Sequence, residues 1–230
     1  MPCPTASAVF TRQHRALIRF ASWGLILSTL TMTSGCLGLA ANLLHAIHGN
    51  NRPAEFKGLE NKRVAVVVAT ESGIGNNQAA KTLTTFIQAA LSTNMKKKVE
   101  IVRTQEVDKW LDQNGWTEAD PVEIGRGVNA DMIVMVDLLN FNLKDGPTLY
   151  RGQSDINVSV YDVKDMGKLA FRKQISEFSF PSMGGTPVSD TSESKFQAAY
   201  LGVVANKVSS LFYQIEATSD FALDATSSRF

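Results

Sequence analysis

Seven consecutive residues, Arg63-Val64-Ala65-Val66-Val67-Val68-Ala69, constrain this chain more than any other stretch. Four are valines, and after Arg63 no polar residue interrupts them. A β-branched run without polar alternates does not suit a half-wet sheet; it reads as a strand buried on both faces. Such a strand needs cover on both sides, which predicts layers of helix, sheet and helix.

The residues downstream supply those layers. Glu71 to Asn77 reads as a loop, then Gln78 to Thr93 as a helix with Leu83, Phe86, Ile87, Ala90 and Leu91 on one face. Lys98 to Val102 is a second strand. Thr104 to Asn114 is a short helix, capped by Thr104, turned inward at Val107, Trp110 and Leu111, and stopped by Gly115. Asp120 caps a further helix that opens on Pro121 and runs to about Gly127. Asp131 to Leu139 is a third buried strand, continuing toward Phe141 and Leu143. Gln153 to Val163 alternates, with Ile156, Val158 and Val160 against Asn157, Ser159 and Tyr161. Lys164 to Gly167 is a hairpin turn, and Leu169 to Phe178 the returning strand. Pro181 to Ser192 is a Gly- and Pro-marked loop, and Ser194 to Glu216 a last helix. The order β-α-β-α-α-β-β-β-α predicts a single α/β sandwich domain with a mixed sheet of about five strands.

Upstream the pattern changes. Arg12, Arg15 and Arg19 precede an uncharged stretch from Phe20 to Met32, followed by Thr33-Ser34-Gly35-Cys36. A basic segment, an apolar segment and small residues before a cut form a secretory signal. The apolar stretch is shorter than the roughly 20 residues that span a bilayer. Cys36 directly after Ser34-Gly35 resembles the lipobox of bacterial lipoproteins, with Thr33 where leucine is usual. The resemblance implies cleavage before Cys36 and acylation of its thiol. An uncleaved anchor helix, or an ordinary signal with an incidental cysteine, is the alternative. Residues 1–35 are thus expected to be signal, 36–60 a lipidated tether, 61–217 the α/β domain and 218–230 a flexible tail. Leu37 after the cysteine, rather than aspartate, points to the outer membrane and its periplasmic face. The inner membrane and the cell surface are the alternatives.

Composition removes several kinds of chemistry. Cysteine occurs only at Cys3 and Cys36, histidine only at His14, His45 and His48. From Asn51 onward the chain therefore holds no disulfide, Cys/His zinc site, cysteine nucleophile or Ser-His-Asp triad. A formal charge of +1 gives no electrostatic case for nucleic acid. No cofactor and no metal is expected.

The remaining motifs are partial. Gly73-Ile74-Gly75 lies between a strand and a helix, where a nucleotide-binding loop would sit. The third glycine is replaced by Gln78, and the second strand ends Val102-Arg103 without its acidic residue, so a tight turn is expected. Ser192-Glu193-Ser194-Lys195 fits S-x-x-K without the companion K-T-G and reads as a helix cap. Asp131, Asp137, Asp155 and Asp162 lie in or beside strands. They are expected to cap turns, with a cation site as the alternative. Trp110 and Trp116 bracket Asp112-Gln113-Asn114-Gly115; either both pack under the loop, or one packs and the other anchors a partner. Trp116, Asn114, Pro181 and Met183 are the partner-binding candidates, because both segments are loop breaks beside rigid elements.

The middle of the chain carries a family resemblance. VAVVVA followed by a helix, KVEIVRTQEV at a strand–helix junction, Asp120-Pro121 leading to Gly125, Ala130-Asp131-Met132-Ile133-Val134, and Val158-Ser159-Val160-Tyr161-Asp162 before the Gly167 turn form the pattern. It resembles the periplasmic lipoprotein domain of the curli-secretion lipoproteins, the neisserial envelope lipoproteins and the lipoprotein activators of penicillin-binding proteins. The N-terminal domain of the Tol translocation protein is similar. The likeness spans roughly Arg63 to Ile215. It implies a non-catalytic envelope module that binds a protein partner or forms homo-oligomers. The long alternating hairpins of a curli-type pore are missing. An envelope enzyme, a nucleotide-binding module and a channel subunit are the rival readings.

Overall fold

The computed structural model describes residues 51–74, 77–95, 99–115 and 120–216. Its centre is a parallel pair. Strand β2 (Lys62–Thr70) lies beside β5 (Met132–Asp145), in register from Val64 opposite Met132 to Thr70 opposite Leu138. The other edge of β2 takes β4 (Val99–Ile101) in parallel and β3 (Gly73–Ile74) in antiparallel. Beyond β5 come β6 (Leu149–Asp162) and β7 (Lys168–Phe180), both antiparallel, and β8 (Thr186–Pro187) extends β6's outer edge. The sheet is mixed and has seven strands. A separate two-residue ribbon joins β1 (Asn51–Arg52) to β9 (Ile215–Glu216).

Helices cover both faces. α1 (Gln78–Asn94) and α4 (Glu193–Ser209) pack on one side. Leu83, Ile87, Leu91, Tyr200, Val204 and Val208 meet Val64, Val66, Val134, Val136, Ile156 and Val158 there, all buried. α2 (Thr104–Asn114) and α3 (Pro121–Gly127) cover the other side, over β2, β5 and the last residues of β6. Val107, Leu111 and Ile124 close there over Ala65, Val67, Ile133 and Met135. The valine-rich run of β2 is explained: alternate residues serve two different cores. The expected α/β architecture is what forms.

Local signals act as chemistry requires. The Asp120 carboxylate accepts from the Val122 N–H at 2.8 Å and Pro121 opens α3. Gly115 ends α2 with φ of 99°, a left-handed value that disfavours other residues. Thr104 departs from its expected capping role. Arg103 holds the cap position of α2, and the Thr104 hydroxyl donates to Gln88 Oε1 at 2.9 Å, tying α2 to α1.

Two boundaries also differ from the sequence reading. Residues 51–60, expected to be tether, pack with the domain. Leu59 is fully buried, the Phe56 ring lies tilted with its centroid 5.3 Å from that of Phe171, and Glu55 pairs with Lys173 at 2.9 Å. The last helix, expected to reach Glu216, stops at Ser209. The chain leaves it because the Leu211 carbonyl accepts from the Phe56 N–H at 3.0 Å, while Phe212 meets Phe56 edge-on. Ile215, within the span read as helix, instead lies in β9.

Leu59→Ala should therefore cost about 2–5 kcal/mol, as for any fully buried leucine, in a denaturant titration; a spacer residue would cost nothing measurable. Val134→Asp, which puts an unpaired charge into the core between β5 and helices α1 and α4, should cost more than about 4 kcal/mol.

Candidate functional site

β5, β6 and β7 run on past the end of β2, and this overhang carries the most unusual backbone. Leu139 pairs with Asp155 but Asn142 pairs with Gln153, so β5 holds one extra residue there. Ser154 pairs with Phe178 but Ile156 pairs with Ile175, so β7 does as well. Two bulges thus flank one point of β6. Their residues Asn140 and Glu177 take φ of 52° and 53°. That region costs a side-chain-bearing residue about 1–2 kcal/mol.

Asp155 offsets the cost from between them. Its Oδ2 accepts from the Asn140 side-chain amide at 2.6 Å, and its Oδ1 from the Glu177 backbone N–H at 2.7 Å. The Asn140 N–H donates to Glu71 Oε1 at 3.1 Å. The Glu177 N–H first, and the Asn140 amide second, hold the Asp155 carboxyl below the usual carboxylate range.

A recess of about 500 Å³ opens here, lined by Asn140, Arg151, Gln153, Asp155, Glu177 and Ser179 together with Ser154. Its inner wall is fixed from the core. The buried Tyr200 hydroxyl lies 3.2 Å from the Phe178 carbonyl and 2.6 Å from Ser154 Oγ. Burial pushes its phenol up, so it stays protonated and donates to the carbonyl, leaving Ser154 as donor to the phenol. Gly152 makes this approach feasible, because a Cβ there would stand 2.1 Å from the Tyr200 ring.

Arg151 is loosely held. Its Nη2 donates to the Ser182 carbonyl at 3.3 Å and to Ser179 Oγ at 3.5 Å, and its Nη1 lies 3.7 Å from Asp145. Its Nε is buried without a hydrogen-bond partner. Through Ser182 it touches the loop after β7. On that loop Met183 is 88% exposed, whereas Pro181 is buried against the domain. Of the two candidates expected there, Met183 presents a surface and Pro181 does not.

The other candidates lie elsewhere. Asn114 is exposed, its side chain donating to the Trp110 carbonyl at 2.8 Å. Trp110 is half-buried over Gly127, where a Cβ would meet its ring nitrogen at 1.8 Å. α2 covers β2, and two strands of the sheet separate β2 from β7, so Asn114 and Met183 do not form one site. Trp116 lies outside the described residues, as do Thr33, Ser34, Gly35, Cys36 and Gly75.

The partial motifs resolve into structure. Gly73, with φ of 105°, turns the chain so that Gly73–Ile74 pairs back onto β2. The α1 N-terminus is occupied by Asn77, whose Oδ1 accepts from the Ala80 N–H at 2.7 Å. Ser192 caps α4, accepting from the Lys195 N–H at 3.4 Å. The four aspartates do not gather at one point: Asp131 and Asp162 flank Lys164 at one end of the sheet, Asp137 lies within β5 and Asp155 lies at the bulged end. Asp131 accepts from the Arg63 N–H at 2.8 Å and pairs with Lys164 at the start of β5. These contacts, the Arg63 N–H foremost, lower its carboxyl below the ordinary range. Asp162 caps the following turn, accepting from the Lys164 and Asp165 N–H groups at 3.0 Å. Burial raises the Asp137 carboxyl, opposed by Arg172. Among the described residues, no group of three or more His, Cys, Asp or Glu side chains could hold a metal ion.

No protein-family model and no curated protein sequence matches the chain. Solved structures do resemble it. A lipoprotein of Neisseria meningitidis is 13% identical, with 64% of this chain and 96% of that one covered and a TM-score of 0.41. A PelC dodecamer from Paraburkholderia phytofirmans is 12% identical, with 71% and 96% covered and a TM-score of 0.40. The LpoB C-terminal domain from Escherichia coli is 16% identical, with 52% and 85% covered and a TM-score of 0.36. Bacterial lipoproteins are thus among the structures this chain is similar to. At these identities and scores the likeness carries no argument about activity.

Because its folded-state value is depressed, Asp155 contributes stability that is present above the unfolded carboxyl pKa of about 3.9 and is lost as pH falls through the lower folded value. Asp155→Asn should lower the melting temperature at pH 7 and flatten its fall in acid. Equal acid slopes in both proteins would show that the carboxylate does not hold the bulges.

Proposed function

We propose that this chain is a lipid-anchored cell-envelope protein whose α/β domain is a non-catalytic binding or assembly module. One observation carries the reading: the basic, apolar and small-residue order ending at Cys36, upstream of a domain whose packing starts by Phe56. Acylation at Cys36, guided by Thr33, Ser34 and Gly35, would hold the domain at the outer membrane, facing the periplasm. Three acyl chains anchor stably where one is marginal, at about 0.8 kcal/mol per buried CH₂. Among the described residues no helix is long and apolar enough to cross a membrane.

The module reading has its own support. The residues from Asn51 to Phe230 include neither histidine nor cysteine. The glycine turn that would serve a nucleotide is engaged in β3, and the serine of the S-x-x-K match is engaged as a cap. Met183, exposed beside the recess, is the partner contact best supported by geometry, with Trp116 and Asn114 as a second surface.

Mass spectrometry of the membrane-extracted protein should find an N-terminus at Cys36 carrying acyl groups. An intact Met1 or a free Cys36 thiol there would overturn the anchor. Cys36→Ser should shift the protein from the membrane to the soluble fraction with its melting temperature unchanged, since both described cores are built from residues downstream of Asn51.

A further inference from the structure

From the recess at the bulged end of the sheet we infer a binding site for a short zwitterionic peptide, its carboxylate on Arg151 and its ammonium on Glu177. The argument is one of unspent bonding capacity. Asp155 has a donor on each oxygen. The Glu177 carboxylate has no partner among the described residues, and only its backbone N–H is engaged. Arg151 makes contacts no shorter than 3.3 Å, and its Nε has none. Arg63 sets the comparison: its Nε is also unpartnered, but its other two nitrogens form close ion pairs with Glu100 and Glu106. A buried donor without a partner is costly, and a guanidinium half-satisfied at an open recess favours a carboxylate, which can accept from two of its N–H groups.

The charges select the ligand further. A simple anion on Arg151 would face Asp155 and Glu177; a simple cation on Glu177 would face Arg151. A molecule bearing both charges avoids both repulsions. Size selects as well. Arg151 lies four residues from Asp155 along β6, about 13 Å at strand spacing, and the arginine side chain shortens that span. Three extended residues reach about 10 Å, the scale of that span, so a tripeptide is the length to test. The recess offers amide and hydroxyl groups at Gln153 and Ser179 for the peptide backbone between the two ends. The two strained residues at Asn140 and Glu177 fit this use, since backbone strain concentrates at ligand clamps.

The lining of the site lies between Asn140 and Ser179, and it is tested on the full chain in detergent by titration calorimetry with trialanine. Trialanine should bind, and both its C-terminal amide and its N-acetyl form should bind about tenfold or more weakly, the loss expected for one charge-assisted contact. Arg151→Gln should erase the preference for the free acid over the amide while keeping the preference for the free amine. Glu177→Gln should do the reverse. If Arg151→Gln fails to melt cooperatively, Arg151→Lys takes its place, keeping the charge but weakening the preference for the free acid. No binding to folded wild-type protein, or equal affinity for the three peptides, overturns the proposal.

Discussion

The parallel pairing of β2 with β5 is the constraint on which the rest depends. Both strands are buried on both faces where they pair, with no polar residue from Val64 to Ala69 of β2 or from Met132 to Val136 of β5. Each face then demands its own helical layer, and the valine run serves both at once. A parallel pair also needs a crossover connection, which the chain fills with α1, β4, α2 and α3. With those elements committed to β2, the other edge of β5 is left to the β6–β7 hairpin, which needs only short turns.

This arrangement makes the two ends of the sheet different. At the end where β2 begins, the domain is tied shut. Phe56, Phe171 and Phe212 form an aromatic cluster, Leu59 is sealed, and β1 pairs with β9. At the other end three strands outrun β2, helices α2 and α3 do not follow them, and polar side chains line a recess. Apolar material closes the end that receives the preceding chain. Underused hydrogen-bonding groups collect at the end away from it. β7 alone, at 13 residues, separates those ends by about 40 Å.

The fold was largely legible because its signals are local. A valine run, an Asp-Pro helix start, a glycine stop and clean alternation through Ile156, Val158 and Val160 each follow from short-range chemistry. The site was far less legible. Asn140 has some tendency toward left-handed backbone, but Glu177 has none, and nothing near either residue marks a bulge. Their meeting at Asp155 is a matter of strand register, 15 and 22 residues apart in the chain. The same holds for Arg151, whose contact with Ser182 spans 31 residues. Phe56 and Leu59 were missed because two apolar residues among Pro53, Lys57, Gly58 and Glu60 have no helical or strand period. Pro181, read from its loop composition as surface, is buried because it directly follows Phe180 into the core.

Site-specific photocrosslinking in native membranes, comparing position 183 with position 166, tests the central claim most directly. Met183 and Met166 are 88% and 89% exposed and sit at opposite ends of β7, so accessibility is matched and only the end differs. An envelope module working from its open end should give a discrete protein adduct from position 183 and none from position 166. Adducts from position 166 alone, or equal adducts from both, would contradict the account.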